Sequence, residues 1–210
     1  LNPRNEILES FGPAVFSRPL FYCYPGGLRF ELSEGGTAVR QLVVAMEKAR
    51  RICKDIFDDG ESMIACVRAH ADSQRFSHRR ELRALRDAGI RIPARRWIWS
   101  EEKDEDDRCD DEGPEYWVHL AFEAPAAWLE SLLWCALAKD LGIHPQIQSG
   151  IYLFNLKKNI VAFPYDDRGM DVVGPNEDAL RELYEVHGEL LLEYDREIME
   201  GTFGVGAGER

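Results

Sequence analysis

The sequence predicts a single-domain α+β protein with a mostly antiparallel sheet packed against three or four helices. Three observations predict it. Short apolar or alternating runs come in pairs separated by turn residues, as hairpin strands do. Between them lie longer segments whose apolar residues recur at helical spacing. Finally, 45% of the 210 residues are apolar, enough to fill one core without disulfide or metal support.

Residues 1–12 read as a short helix with Ile7, Leu8 and Phe11 on its packed side, closed by Pro13. Residues 20–24 read as a strand, Pro25-Gly26-Gly27 as a turn, and residues 28–32 as an alternating strand, giving an N-terminal hairpin. Thr37 is placed to cap a long helix to Phe57, with Leu42, Val43, Met46, Ala49, Ile52, Cys53 and Ile56 as its apolar stripe. Met63 to Val67 is continuously apolar and predicts a central strand covered on both faces.

An Arg-rich helix is expected over 75–88, anchored by Leu82 and Leu85 and ended by Gly89. Residues 95–100 and 116–122 form a central hairpin with a long acidic loop between them. A mostly buried helix is expected over 125–141. Three strands at 150–155, 160–165 and 170–173 make a C-terminal meander. Asn176 then caps a helix whose first turn is acidic, as the helix dipole favours, with Gly188 placed to break or bend it. Residues 1–203 are expected to be one domain. Residues 204–210, which contain three glycines and no following helix, are expected to be a flexible tail rather than a phosphate cradle.

The net charge is −12. A negative field repels phosphate backbones, so general nucleic-acid binding is not expected. The sequence holds no run of about 18 apolar residues, so no membrane span is expected. The first residues lack a basic segment followed by an apolar run, so a cytoplasmic location is expected. Five cysteines at spacings that fit no zinc or thioredoxin pattern read as reduced thiols, with Cys53, Cys66 and Cys135 as buried hydrophobes. None of the five histidines forms an i, i+4 metal pair. No metal, cofactor or catalytic set is expected.

One C-terminal stretch reads Ile151-Tyr152-Leu153-Phe154-Asn155, then Asn159-Ile160-Val161-Ala162-Phe163, then Tyr165-Asp166-Asp167-Arg168-Gly169-Met170-Asp171-Val172. It is followed by Tyr194-Asp195-Arg196-Glu197-Ile198. This resembles the bacterial domain of unknown function 3885 family, in which a YDDRG-hydrophobe-D turn precedes a YDR helix. The strand at Phe30-Glu31-Leu32 is similar to that family too. The close resemblance covers the last quarter of the chain. It implies a fold type and a bacterial origin, and no activity.

Asp166, Asp167, Arg168 and Asp171 are the densest charged cluster in that stretch. One reading is a tight hairpin: Asp166 bonds its own backbone, Gly169 supplies a positive φ and Arg168 pairs with an acid across the turn. The other is a carboxylate site for a metal or for acid–base chemistry. Asp195 and Arg196 are candidates to clamp this turn by an ion pair, and Asp195 with Arg168 is the catalytic version of the same idea.

The second charged feature is the run Glu101, Glu102, Asp104, Glu105, Asp106, Asp107, Asp110, Asp111, Glu112 and Glu115. It follows directly on Arg75, Arg79, Arg80, Arg83, Arg86, Arg91, Arg95 and Arg96. One account is a solvated surface or internal neutralisation of the basic helix. The other is docking onto a basic partner, with Glu101, Glu102, Asp104, Glu105, Asp106, Asp107, Asp110 and Asp111 as the contact residues. The function expected is therefore an intracellular protein-binding module of the immunity or antitoxin type, neutralising a basic toxin. The alternative is an enzyme with a carboxylate or metal site at the DDRGMD turn.

Overall fold

The computed structural model describes residues 2–57, 62–71, 79–103 and 115–204. In chain order the elements are α1 (Pro3–Phe11), α2 (Leu20–Cys23), β1 (Leu28–Glu31), α3 (Ala38–Ile56), β2 (Ser62–Ala71), α4 (Arg79–Asp87) and β3 (Arg96–Glu102). There follow β4 (Tyr116–Pro125), α5 (Leu129–Leu137), β5 (Gly150–Asn155), β6 (Ile160–Asp166), β7 (Gly169–Val173), α6 (Glu177–Val186) and α7 (Arg196–Phe203). The strands form one seven-stranded sheet in the order β1-β7-β6-β5-β2-β4-β3, antiparallel at every junction. The fold is the α+β single domain expected from the sequence, with the central hairpin β3–β4 and the meander β5–β6–β7 both in place.

The sheet is covered on both faces, which explains the continuous apolar runs. On one face Met63, Ala65 and Val67 of β2 and Ile160 and Ala162 of β6 meet α3 and α5. On the other, Ile64, Cys66, Val161 and Phe163 meet the N-terminal segment through Ile7, Phe11, Val15, Phe16 and Leu20. Helix α3 presents Leu42, Ala45, Ala49, Ile52, Cys53 and Ile56 inward, and Thr37 caps it by accepting the Arg40 N–H at 3.4 Å. Each fully buried Leu or Ile in such a stripe contributes about 1.5–3 kcal/mol.

The N-terminal hairpin does not form. Residues 20–23 are one helical turn, α2, and β1 pairs with β7 instead. Leu20, Phe21 and Tyr24 are buried while Tyr22 and Cys23 are exposed, an i, i+1, i+4 pattern. Because all five residues from 20 to 24 are apolar or aromatic, that period is invisible in the sequence, and the tertiary partner decides.

The helices follow their caps. Asn176 accepts the Ala179 N–H at 3.2 Å, and α6 stops at Val186, just before Gly188. The chain then makes a 3-10 turn at Gly188–Leu190, bridges Leu191 to Phe30, and makes a second 3-10 turn at Glu193–Asp195 before α7. The helix expected over 125–141 is a 3-10 turn, α5 and a second 3-10 turn, ended by Gly142 at φ 68. Of the Arg-rich helix, α4 covers Arg79–Asp87, with Leu85 buried; residues 75–78 of the expected span lie outside the described residues, as does most of the expected tail. Among the described residues no helix is long and apolar enough to cross a membrane.

Candidate functional site

The two carboxylate motifs meet through a residue that belongs to neither. Arg29 lies on β1 between buried Leu28 and Phe30, so the pleat turns it to the opposite face of the sheet. Its partner in register on β7 is Asp171. Arg29 Nε donates to Asp171 Oδ1 at 2.8 Å and Nη2 donates to Oδ2 at 3.2 Å, a two-pronged pair. Arg29 Nη1 donates to Asp195 Oδ2 at 3.2 Å. The Phe21 N–H at the start of α2 donates to Asp171 Oδ2 at 3.1 Å, and the Tyr22 hydroxyl donates to Asp195 Oδ1 at 2.6 Å. Both carboxylates are 1% exposed. The guanidinium also lies 5.0 Å from the Phe21 ring and 4.8 Å from the Tyr22 ring.

Burial pushes Asp171 above the ordinary carboxyl range, and the Arg29 bonds and charge and the Phe21 N–H pull it back. Burial acts to lower Arg29, but the bonds and charge of Asp171 hold it above its ordinary value. The cluster is thus a buried cation held between two anions with most of its hydrogen-bonding capacity filled. Such a group fixes geometry strongly because removing any member leaves an uncompensated charge.

The turn itself is built as a local lock. Asp166 Oδ1 accepts the Arg168 backbone N–H at 2.8 Å, and Asp166 Oδ2 accepts Arg168 Nε at 3.0 Å and Nη2. The Arg168 carbonyl accepts the Leu32 N–H at 2.9 Å, tying the turn to the end of β1. The expected positive φ at Gly169 is absent. The glycine is needed for space: a Cβ there would overlap the Tyr165 hydroxyl and come within 2.9 Å of the Phe30 carbonyl oxygen. Asp167 is buried, its Oδ2 has no hydrogen-bond partner, and burial and the Asp166 charge raise its pKa.

The structure does not bring Asp195 to Arg168, so the catalytic pairing is overturned: Arg168 is held by Asp166, and Asp195 by Arg29 and Tyr22. Nor does Arg196 clamp the turn. Its Nε donates to Glu193 Oε2 at 2.6 Å and its Nη2 to the Gly188 carbonyl at 3.4 Å. Arg29 was the residue that sequence reasoning missed. Its one signal was a lone cation alternating with buried apolar residues in β1.

Beside this cluster lies a cleft of about 420 Å³ whose lining includes Arg18, Lys139, Phe163, Tyr165, Asp166 and Asp171. Among the described residues no group of three or more His, Cys, Asp or Glu side chains is arranged to hold a metal ion. The buried thiols are poor nucleophiles, since burial pushes Cys53 and Cys135 up to about 12 and Cys66 higher still.

The acidic run springs from the sheet edge. β3 has β4 as its sole strand neighbour among the described residues, and Ile98 on it is half exposed. Glu102 stands opposite Tyr116, and the Lys103 N–H donates to the Glu115 carbonyl at 2.8 Å, closing the hairpin stem. Glu101 accepts Arg4 Nη2 at 3.5 Å, and Glu102 is exposed. Glu115 is buried, 2.9 Å from Lys103 Nζ and 3.2 Å from His70 Nε2. Asp104, Glu105, Asp106, Asp107, Asp110, Asp111 and Glu112 lie outside the described residues.

A model of the family described as Domain of unknown function (DUF3885) matches residues 4–195. No curated protein and no solved structure matches the chain. The match runs from α1 to Asp195 itself, so it takes in Arg29, the DDRGMD turn, Asp195 and the acidic run, far beyond the last quarter that the motifs alone suggested, and stops before Arg196.

Proposed function

The chain belongs to the family described as domain of unknown function (DUF3885), and we propose that it works as a protein-binding module whose acidic segment holds a basic protein partner. The class of partner is a toxin that the module neutralises, as an immunity protein does, within the cell. The observation that carries this reading is the concentration of charge: ten of the 38 acidic residues fall within residues 101–115, at one hairpin on the sheet edge. Clustered carboxylates steer a basic partner into place and fill a cleft that would otherwise take phosphate. Asp166, Asp171 and Asp195 are engaged with Arg168 and Arg29, so these three carboxylates add little to the outward field.

The second reading, an enzyme with a carboxylate site at the turn, draws on the 420 Å³ cleft and on the unpartnered oxygen of buried Asp167. The three hydrogen bonds already filling Asp171 count against it.

The test takes the product of the adjacent open reading frame, expected to be a basic protein, and measures its affinity for this chain at increasing salt. Binding should weaken steeply with ionic strength. Neutralising Asp104, Glu105, Asp106, Asp107, Asp110 and Asp111 to the amides should cost about tenfold or more while Tm stays unchanged. An affinity untouched by those substitutions, or no binding at all, sinks the proposal.

A further inference from the structure

Two guanidinium groups on the N-terminal face of the sheet converge on the Tyr152 hydroxyl, and neither is held in an ion pair among the described residues. Arg68, on β2, is 8% exposed. Its neighbours in register are His119 on β4 and Gly150 on β5. The guanidinium carbon lies 3.9 Å from the centre of the Trp117 ring, which shields one of its faces. Arg68 Nε is buried with no hydrogen-bond partner, and Trp117 Nε1, on the ring it stacks against, is likewise buried without an acceptor.

Arg18 arrives from the N-terminal segment. Its Nε donates to the Tyr152 hydroxyl at 3.5 Å, and its guanidinium lies 5.1 Å from the Phe163 ring and 5.9 Å from that of Trp117. Its Nη2 occupies the space that a side chain at residue 150 would fill, directly over the cross-strand neighbour of Arg68. Gly150 therefore makes room for a second cation beside the first. Neither Arg18 nor Arg68 forms an ion pair among the described residues. The nearby carboxylates are engaged elsewhere, Glu101 with Arg4 and Glu115 with Lys103 and His70.

Like charges placed side by side in a half-buried pocket repel, and burying a guanidinium without an anion is strongly unfavourable. Burial, with the Arg18 charge, presses Arg68 below its ordinary pKa, and the Tyr152 hydroxyl, which accepts a hydrogen bond from it, and the more distant Glu101 charge offset only part of that. A fold that keeps this arrangement has the donors of an oxyanion site already in place. We propose that Arg68 and Arg18, with the Tyr152 hydroxyl and the Trp117 N–H, bind the phosphate group of a small molecule. Arg18 alone of these groups also lines the 420 Å³ cleft, with Phe163, Tyr165, Lys139 and the Arg29-paired Asp171 and Arg168-paired Asp166, and that cleft is of a size to take an organic body attached to the phosphate. A nucleic-acid strand is disfavoured as the source of the phosphate, because the chain carries a net charge of −12.

The experiment is calorimetric titration of the full chain with inorganic phosphate and with phenyl phosphate, at ionic strength fixed with chloride. Saturable one-to-one binding is expected. Phenyl phosphate binding more tightly places the ring in the cleft; equal affinities assign the site to the free ion. Arg18 is exposed, so R18Q should fold normally and bind about tenfold to a hundredfold more weakly. R68M removes a buried unpaired charge, so it should raise Tm in phosphate-free buffer and abolish the rise that phosphate gives the wild type. No saturable heat with either probe, wild-type affinity in R18Q, or an unchanged phosphate response in R68M overturns the assignment.

Discussion

Arg29 on β1 and Asp171 on β7 are partners twice over: they are opposite in strand register, and their side chains meet in a two-pronged ion pair at 2.8 and 3.2 Å. The same guanidinium reaches Asp195, so one cation joins the first strand, the last strand and the segment leading into α7.

Removing that cation leaves two carboxylates buried and uncompensated. R29M is expected to destabilise the protein by about 3–5 kcal/mol in urea unfolding. The double variant R29M/D171N should lose less than the sum of the two single variants, because the second change removes a charge that the first left stranded. Strict additivity would show that the pair is not coupled.

Gly169 tests space against conformation. G169A is expected to cost about 1–3 kcal/mol, since the added methyl meets the Tyr165 hydroxyl and the Phe30 carbonyl. Combining it with Y165F should recover part of that loss by removing the oxygen. Gly142 is the control: it has φ 68 and open space around it, so G142A should cost only the left-handed backbone penalty of about 1–2 kcal/mol, with no rescue from Y165F.

Thiol labelling at pH 8 should separate the cysteines cleanly. Cys23 is exposed and should react fast with a disulfide reagent. Cys53, Cys66 and Cys135 are buried, with Cys53 and Cys135 pushed up to about 12, so they should react only on unfolding. Mass mapping of the labelled peptides decides it.

Stability should fall on the alkaline side. The hydrogen bond that the Tyr22 phenol gives Asp195, helped by burial, raises its pKa above the ordinary 10. A phenol raised in the folded state favours folding while it is protonated, so its contribution is complete below about pH 10 and is lost as pH climbs through the folded value. Burial and the charge of Asp171 raise Tyr165 in the same direction. Urea midpoints between pH 8 and 11 should decline in the wild type and decline less in Y22F. Identical slopes would remove Tyr22 from the account.

Much of this was legible in the residues themselves. Asn176, Thr37 and Gly89 marked helix ends because their chemistry is local. The β5–β7 meander showed itself because its turns carry their own signals, and the Asp166 lock is likewise a contact within a few residues. What stayed hidden depends on distant neighbours. Leu20 and Tyr24, four residues apart, pack into the same cluster on the N-terminal face of the sheet, and that shared tertiary partner fits a helical turn over residues 20–23. Gly169 looked like a φ choice because the crowding is tertiary: the Phe30 carbonyl is brought by β1, and the Tyr165 ring from β6 folds back over the turn. Arg29, Arg18 and Arg68 are single cations in apolar surroundings, and nothing local distinguishes one that finds a carboxylate from two that do not.

The seat of β1 beside β7 sets an order of assembly. Arg29 and Asp171 are 142 positions apart, and Arg29 and Asp195 are 166 apart. On a ribosome β1 therefore waits without a partner until residues 169–173 have emerged, whereas the β5–β7 meander can zip from short loops. A nascent or truncated chain ending before Asp171 carries Leu28 and Phe30 on a strand with no β7 to receive them, and such chains are the ones expected to need chaperone protection.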